Sequence, residues 1–277
     1  MSEEMSQRTC VVDWIKVGGD NPLTIISGPC SLEDPTTNDK ILLTLREACD
    51  SLGLSFIFKA SFDKANRTSI HSNRGLGLEK GMQEFKRLKD KYPTVPMCTD
   101  IHEPSQAKIV AEYVDLIQIP AFLCRQTDLI VAAAKTGKAL SVKKGQFLSP
   151  AEMNHVVNKV KEADCKNLIL TERGTFFGYN KLVNDFIGLG DMMNLGHPVC
   201  FDVTHSTQLP GAGKDVTAGR SDMAPLLLRA AVAAGVDALF IETHPNPSEA
   251  TSDGATMMPL SIVPNELRVA ANIRKQL

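Results

Sequence analysis

The sequence predicts an α/β fold, a closed (β/α)8 barrel with a short N-terminal hairpin extension. Three observations point to it. A short apolar run followed by an amphipathic helical pattern recurs eight times in 277 residues. Each run is apolar on successive positions, as strands buried on both faces of a parallel sheet must be. No GxGxxG follows the first run, so an open doubly wound sheet lacks its dinucleotide-binding anchor.

The elements follow in order. Residues 1–20, with Trp14 and Gly18-Gly19, fit none of the units and are expected to form a hairpin plugging the N-terminal end of the barrel. The whole of 1–277 is otherwise read as one domain. LTIISGPC is the first strand; its helix opens at Asp34-Pro35, a proline in the first turn, and stops at Gly53. SFIFKASF and PMCTDI are the second and third, the latter followed by a helix start at Glu103-Pro104. DLIQIP is the fourth, its helix ending at Gly137. ALSVKKG is the fifth, followed by Ser149-Pro150-Ala151-Glu152, a capping box with proline at the first helical position. NLILTER, HPVCFDVT and ALFIETHP complete the set, with Gly235 stopping the helix between the last two.

Composition excludes several classes. With 43% hydrophobic and 22% charged residues and a net charge of -2, the chain has no bulk attraction for nucleic acid or an anionic membrane, so any anion site must be local. No apolar stretch is long enough to span a bilayer, and MSEEMSQRTC lacks a secretory signal pattern, so a cytoplasmic protein is expected. Seven cysteines without close-paired spacing argue against a disulfide framework and against a zinc knuckle.

Barrel enzymes build their sites at the C-terminal ends of the strands. In this chain those ends read Cys30; Lys59, Ser61 and Lys64; Asp100 and His102; Gln118; Lys143 and Lys144; Glu172 and Arg173; Asp202 and His205; Glu242 and His244. Polar groups at every end, where the strand interiors are apolar, are hard to explain as packing. The densest stretch is KASFDKANR, where Lys59, Lys64 and Arg67 emerge from an apolar run among Asn66, Thr68 and Ser69, equipment for gripping a phosphate by charge and hydrogen bonds. With Lys143 and Arg173 the cations suffice for more than one phosphate, or for a phosphate and a carboxylate.

Cys30, His205, Glu242 and Asp253 form a second set. Singly, Cys30 reads as a core thiol, His205 as a capped strand-end histidine and Glu242 as a partner for a lysine. As four on the first, seventh and eighth units of a closed barrel, they are a mixed set suited to one borderline divalent metal such as Zn, Fe or Mn.

From GPCSLED to ATMMPL the chain resembles the 3-deoxy-D-manno-octulosonate 8-phosphate synthases, through FKASFDKANRTSIHS, TDIHEPSQ, IQIPAFLCRQTDL, VKKGQF, TERGTFFGYN, FDVTHS and IETHPNPSEATSDG. The related heptulosonate 7-phosphate synthases share GPCS, but typically carry a proline-containing KPR where this chain has KANR. The resemblance implies condensation of phosphoenolpyruvate with arabinose 5-phosphate and water, a step toward bacterial lipopolysaccharide. It implies that Lys64, Lys143 and Arg173, with Gln118 and the Ala121 backbone, hold phosphoenolpyruvate, and that Asn66, Arg67 and Thr68 hold the pentose phosphate. Lys59 and Ser61 join the substrate site, and Lys64, Lys143, His205 and Asp253 are the implied catalytic residues. Arg125 is similar to an arginine that reaches a neighbouring subunit's site, which implies a homo-oligomer, usually a tetramer. Cys30 stands where a metal-independent branch has asparagine, so Cys30, His205, Glu242 and Asp253 look like the metal-dependent ligand set. A heptulosonate synthase, and a non-catalytic sugar-phosphate sensor on the same barrel, are the alternative readings.

Overall fold

A computed structural model describes residues 8–67, 69–176, 178–212 and 218–277. Among these, eight parallel strands close into a barrel, each followed by a helix packed outside it. In chain order they are β1 Thr24–Gly28, α1 Pro35–Leu52, β2 Ser55–Lys59, α2 Gly77–Lys91, β3 Met97–Asp100, α3 Pro104–Val110, β4 Leu116–Ile119 and α4 Thr127–Ala134. Then come β5 Ala139–Lys143, α5 Met153–Glu162, β6 Leu168–Glu172, α6 Phe186–Met193, β7 Val199–Asp202, α7 Ala224–Ala233, β8 Ala238–His244 and α8 Val263–Arg274. Sequential strands pair in parallel, β8 pairs with β1 through Glu242↔Gly28, and β7 pairs with β8 through Asp202↔Phe240, which closes the ring. All eight apolar runs are barrel strands.

The helix signals act as their chemistry requires. Asp34 accepts hydrogen bonds from the amides of Thr36 (2.9 Å) and Thr37 (3.1 Å), satisfying two of the donors that a helix start leaves open. Glu152 reaches back to the amide of Ser149 at 2.8 Å, and Gln106 to that of Glu103 at 3.3 Å. Gly53 ends α1 at φ 67°, a left-handed conformation that a Cβ would disfavour.

Strand parity sorts the side chains into two cores. Ile25, Phe56, Phe58, Met97, Ile117, Leu140, Leu170, Phe201 and Leu239 face the helices. Their neighbours Ile26, Ile57, Cys98, Leu116, Ala139, Ile169, Cys200, Ala238 and Phe240 fill the barrel interior. A hairpin pairing Cys10–Val12 with Ile15–Val17 buries Cys10, Val12, Ile15 and Val17 in that inner cluster. Two residues further along, five of these inward rows turn to charged or amide side chains, Lys59, Asp100, Gln118, Asp202 and Glu242, all buried. The seven cysteines are free thiols, six of them buried. No helix among the described residues is long and apolar enough to cross a membrane.

Candidate active site

Cys30 leaves the end of β1 just after Gly28, where a Cβ would stand 2.1 Å from the Lys59 carbonyl oxygen; only glycine lets β1 and β2 approach so closely at this point. Glu242 comes from β8 and Asp253 from the loop beyond it. One ligand atom from each of Cys30, Glu242 and Asp253 lies within 4.8 Å of the others. The Cys30 thiol donates to Asp253 Oδ2 at 3.0 Å. Burial pushes that thiol well up from its ordinary pKa, and the neighbouring Asp253 and Glu242 push it further.

His205 approaches this group through Glu242, with Nε2 3.5 Å from Oε2. Its ring is fixed from behind: Asp202 accepts the His205 amide at 2.8 Å and faces Nδ1 at 2.9 Å. With Nδ1 turned to Asp202, Nε2 is turned toward Glu242, whose Oε2 is buried without a hydrogen bond. An imidazole nitrogen beside an unsatisfied carboxylate oxygen, a thiol and a second carboxylate is a donor set that fits a divalent cation of the Zn, Fe or Mn type. Around such an ion Asp202 would be the outer carboxylate that orients His205.

The cations line the remaining wall. Lys59 Nζ donates to Glu242 Oε1 (3.2 Å) and Ser61 Oγ (3.0 Å), and Lys64 Nζ to the same Ser61 hydroxyl at 3.0 Å. Lys143 Nζ donates to Asp202 Oδ2 at 2.6 Å and sits 3.7 Å above the centre of the Phe240 ring. Arg173 is buried; its Nη2 donates to Gln208 at 2.6 Å while Nη1 has no hydrogen-bond partner. Burial disfavours the charged form of every group here. It holds the Arg173 guanidinium below its usual pKa. For the carboxylates the cations outweigh it: against burial, Lys59 and His102 hold Asp100 low, His205 and Lys143 hold Asp202 low, and His205, Lys64 and Lys59 hold Glu242 low. A buried guanidinium with an empty donor needs an anion, and none of the described side chains gives Nη1 one.

The chain matches the model of the DAHP synthetase I family over residues 4–276. A 2-dehydro-3-deoxyphosphooctonate aldolase of a Synechococcus strain is 50% identical over 275 residues, covering 99% of this chain and 96% of that relative. The chain belongs to the 2-dehydro-3-deoxyphosphooctonate aldolase family. Relatives of the same name in a Cyanothece strain (52% identical, 95% of this chain and 96% of the relative) and in Fusobacterium nucleatum (50%, with 94% of each) agree over nearly the whole length.

The expected site residues of this aldolase-family chain fall into three places. Cys30, Lys59, Ser61, Lys64, Gln118, Ala121, Lys143, Arg173, Glu242 and, at its edge, His205 belong to the C-terminal mouth of the barrel, Gln118 and Ala121 buried at the end of β4 and just beyond it. Asp253 hangs over it in a left-handed conformation at φ 53°. Arg67 instead spans two loops, donating to the Asn73 and Thr251 carbonyls at 2.9 Å and to Ser252 Oγ at 2.7 Å. Asn66 beside it is exposed, and Thr68 lies outside the described residues. Arg125 is exposed on the outer flank, in a groove of about 400 Å³ that it lines with Glu152, His155 and Lys159.

Parity also divides the strand-end residues. Lys143 and Arg173 enter the barrel, whereas Lys144 and Glu172 turn outward and face each other at 3.6 Å. Two partners were given no role from the sequence. Asp202 had a signal, the Asp-x-x-His spacing in FDVTHS, which returns the histidine amide and ring to the carboxylate; Gln208, which meets Arg173, had none.

Proposed function

We propose that this chain condenses phosphoenolpyruvate with D-arabinose 5-phosphate and water to give 3-deoxy-D-manno-octulosonate 8-phosphate and inorganic phosphate. The observation that carries the proposal is the buried cationic wall of Lys64, Lys143 and Arg173, with its unfilled Arg173 donor, beside the Cys30, Glu242 and Asp253 cluster. The names of the curated relatives support the same reaction.

In this reading the carboxylate and phosphate of phosphoenolpyruvate are held by Lys64, Lys143 and Arg173, with Gln118 and the Ala121 backbone alongside. Lys59 and Ser61 support Lys64 and complete the floor. Arg67, Asn66 and Thr68 take the pentose phosphate; Arg67 exchanges part of its hold on Thr251 and Ser252 for that anion. The enol carbon of phosphoenolpyruvate then forms a bond to the aldehyde carbon, whose oxygen takes a proton and becomes a hydroxyl; water oxygen bonds to the adjacent carbon, losing one proton in exchange for that one and its second to phosphate, which departs with the bridging oxygen as the carbon–oxygen bond breaks and the ketone forms. Two anionic substrates at close range repel by about 1 kcal/mol even in bulk water and several-fold more in a partly dry site, so the cationic wall is a condition for bringing them together. Asp202 keeps Lys143 and His205 in fixed orientation through its contacts at 2.6 and 2.9 Å. A divalent ion held by Cys30, His205, Glu242 and Asp253 would supply Lewis acidity to an aldehyde or water oxygen. Arg125, exposed on the outer flank, is assigned to the site of a second copy, in a homo-oligomer expected to be a cytoplasmic tetramer.

Release of phosphate from phosphoenolpyruvate with arabinose 5-phosphate, compared against erythrose 4-phosphate, tests the proposal. Turnover confined to the pentose supports it; preference for the tetrose makes the chain a heptulosonate synthase, and no turnover with either aldose favours a sensor. Size-exclusion with light scattering tests the assembly, a monomer ruling out the role given to Arg125.

A further inference from the structure

Directly behind the cationic wall lies a second pair of charges that the reaction does not use. Lys144 is fully buried. Its ammonium lies within reach of two carbonyls of its own loop, Gly145 (3.3 Å) and Leu148 (3.2 Å), and of two oxygens of the loop after β6, the Gly174 carbonyl (3.4 Å) and Thr175 Oγ1 (3.2 Å). Three N–H groups are thus shared among four acceptors, with Glu172 Oε1 adding charge at 3.6 Å. The same Oε1 accepts the backbone amides of Arg173 (2.9 Å) and Gly174 (2.6 Å). The two loops are tied again where the Phe176 amide donates to the Gln146 carbonyl at 2.8 Å, and the β strands beneath them where the Lys144 amide donates to Thr171 at 2.8 Å.

We propose that Lys144 is a positioning residue that locks the β5 and β6 loops together, fixing the spacing of Lys143 and Arg173 and so the grip on phosphoenolpyruvate. This rests on the assignment of those two cations to that substrate. The chain alternates at both places: Lys143 points in and Lys144 out, Arg173 in and Glu172 out. Each inward cation therefore shares a peptide bond with a member of the outward pair, and any shift of the pair moves the root of a substrate-facing side chain. An apolar pair would fill this space without stripping two charges of water. It would not supply directed bonds to four oxygens on two loops. A role confined to stability predicts a lower melting temperature with substrate affinities unchanged; positioning predicts a selective loss.

The test is Lys144→Met, which keeps the length of the stem, in the full chain. Binding of phosphoenolpyruvate is measured by calorimetry, and KM for both substrates by phosphate release. The dissociation constant and KM for phosphoenolpyruvate should rise about tenfold or more, since misplacement on the order of 1 Å can cost a hundredfold, while KM for the pentose phosphate stays within about twofold. A folded Lys144→Met protein that binds phosphoenolpyruvate as the wild type does, or that loses both substrates in parallel, overturns the proposal. Should Lys144→Met fail to fold, Thr175→Val removes one acceptor and leaves the ammonium in place. It should weaken phosphoenolpyruvate about threefold, by the same reasoning on a smaller displacement, and unchanged binding overturns the proposal equally. Wild-type chain that binds no phosphoenolpyruvate would count against the substrate assignment itself.

Discussion

Metal uptake by the Cys30 cluster should release close to one proton per ion, and Cys30→Ser should abolish that release. In the metal-free chain the thiol is protonated: burial, then Asp253 and Glu242, hold its pKa well above the ordinary value, and its S–H is donated to Asp253 Oδ2 at 3.0 Å. A metal takes the thiolate, so this proton must leave. Glu242 contributes none, because His205, Lys64 and Lys59 overcome its burial and hold it below the usual carboxylate range. With one thiol proton displaced per ion, affinity at about pH 8 should rise about tenfold per pH unit, or about 1.4 kcal/mol. Calorimetric titration of Zn or Mn into chelator-stripped protein, in two buffers of different ionisation enthalpy, counts the protons directly. Stripping should also abolish turnover, and a divalent ion should restore it. A serine hydroxyl does not ionise here, so Cys30→Ser should bind far more weakly with a flat pH dependence, while Cys30→Asn is the variant in which metal-independent turnover is to be sought. A proton count near zero in the wild type, or a serine variant with the same affinity and pH slope, would refute the reasoning.

Arg173→Ala should raise KM for phosphoenolpyruvate and Arg67→Ala that for the pentose phosphate, each by roughly ten- to a hundredfold, the worth of a charge-assisted contact of about 1.5–3 kcal/mol; equal effects on both substrates in both variants would sink the division of the site. Phosphoenolpyruvate labelled with heavy oxygen at the bridging position should release phosphate that retains the label, read by mass spectrometry, and label left in the sugar would exclude carbon–oxygen cleavage. Asp100, Asp202 and Glu242 are all held below the usual carboxylate range, so the unfolded chain binds more protons than the folded one as pH falls through the ordinary carboxylate values. Their contribution to stability is complete above the ordinary carboxylate values near about pH 4 and is lost progressively as pH falls from there toward their depressed folded values; urea midpoints should begin to drop at about pH 5 and keep falling at lower pH, and Asp202→Asn should flatten the drop, a uniform response in both proteins being the contrary result.

The barrel was legible because its strands are buried on both faces: runs such as SFIFK and ALFIETH carry apolar residues on inward and outward positions alike, and only a parallel sheet covered by helices asks for that. Asp34, Glu103 and Ser149 marked helix starts through local hydrogen bonds that a short window of sequence contains. The candidate site was legible for a related reason, since several inward rows change from apolar to polar as they leave the barrel: Ile57 to Lys59, Cys98 to Asp100, Leu116 to Gln118, Phe240 to Glu242.

What escaped the sequence lies where parity or distance in the chain decides. Lys143 and Lys144 are chemically alike and adjacent, as are the strand-end polar residues Glu172 and Arg173, and composition cannot tell which of each pair faces the substrate. Counting from the buried interior settles it, because Ala139, Ser141 and Lys143 share one face and Ile169, Thr171 and Arg173 another, which leaves Lys144 and Glu172 pointing away together. The partners of Arg67 escaped differently: Thr251 and Ser252 lie 184 and 185 residues along the chain, and no local pattern announces a bond across β1 from the loop after β2 to the loop after β8. That bond links the two halves of the chemistry. Ser252 Oγ, which accepts from Arg67, donates in turn to Asp253 Oδ2 at 3.0 Å, the same oxygen that takes the Cys30 thiol. In the proposed reaction the group that meets the pentose phosphate is therefore three hydrogen bonds from the Cys30 thiol, through Ser252 and Asp253, so the two sites are joined by side chains and not merely by sharing a barrel mouth.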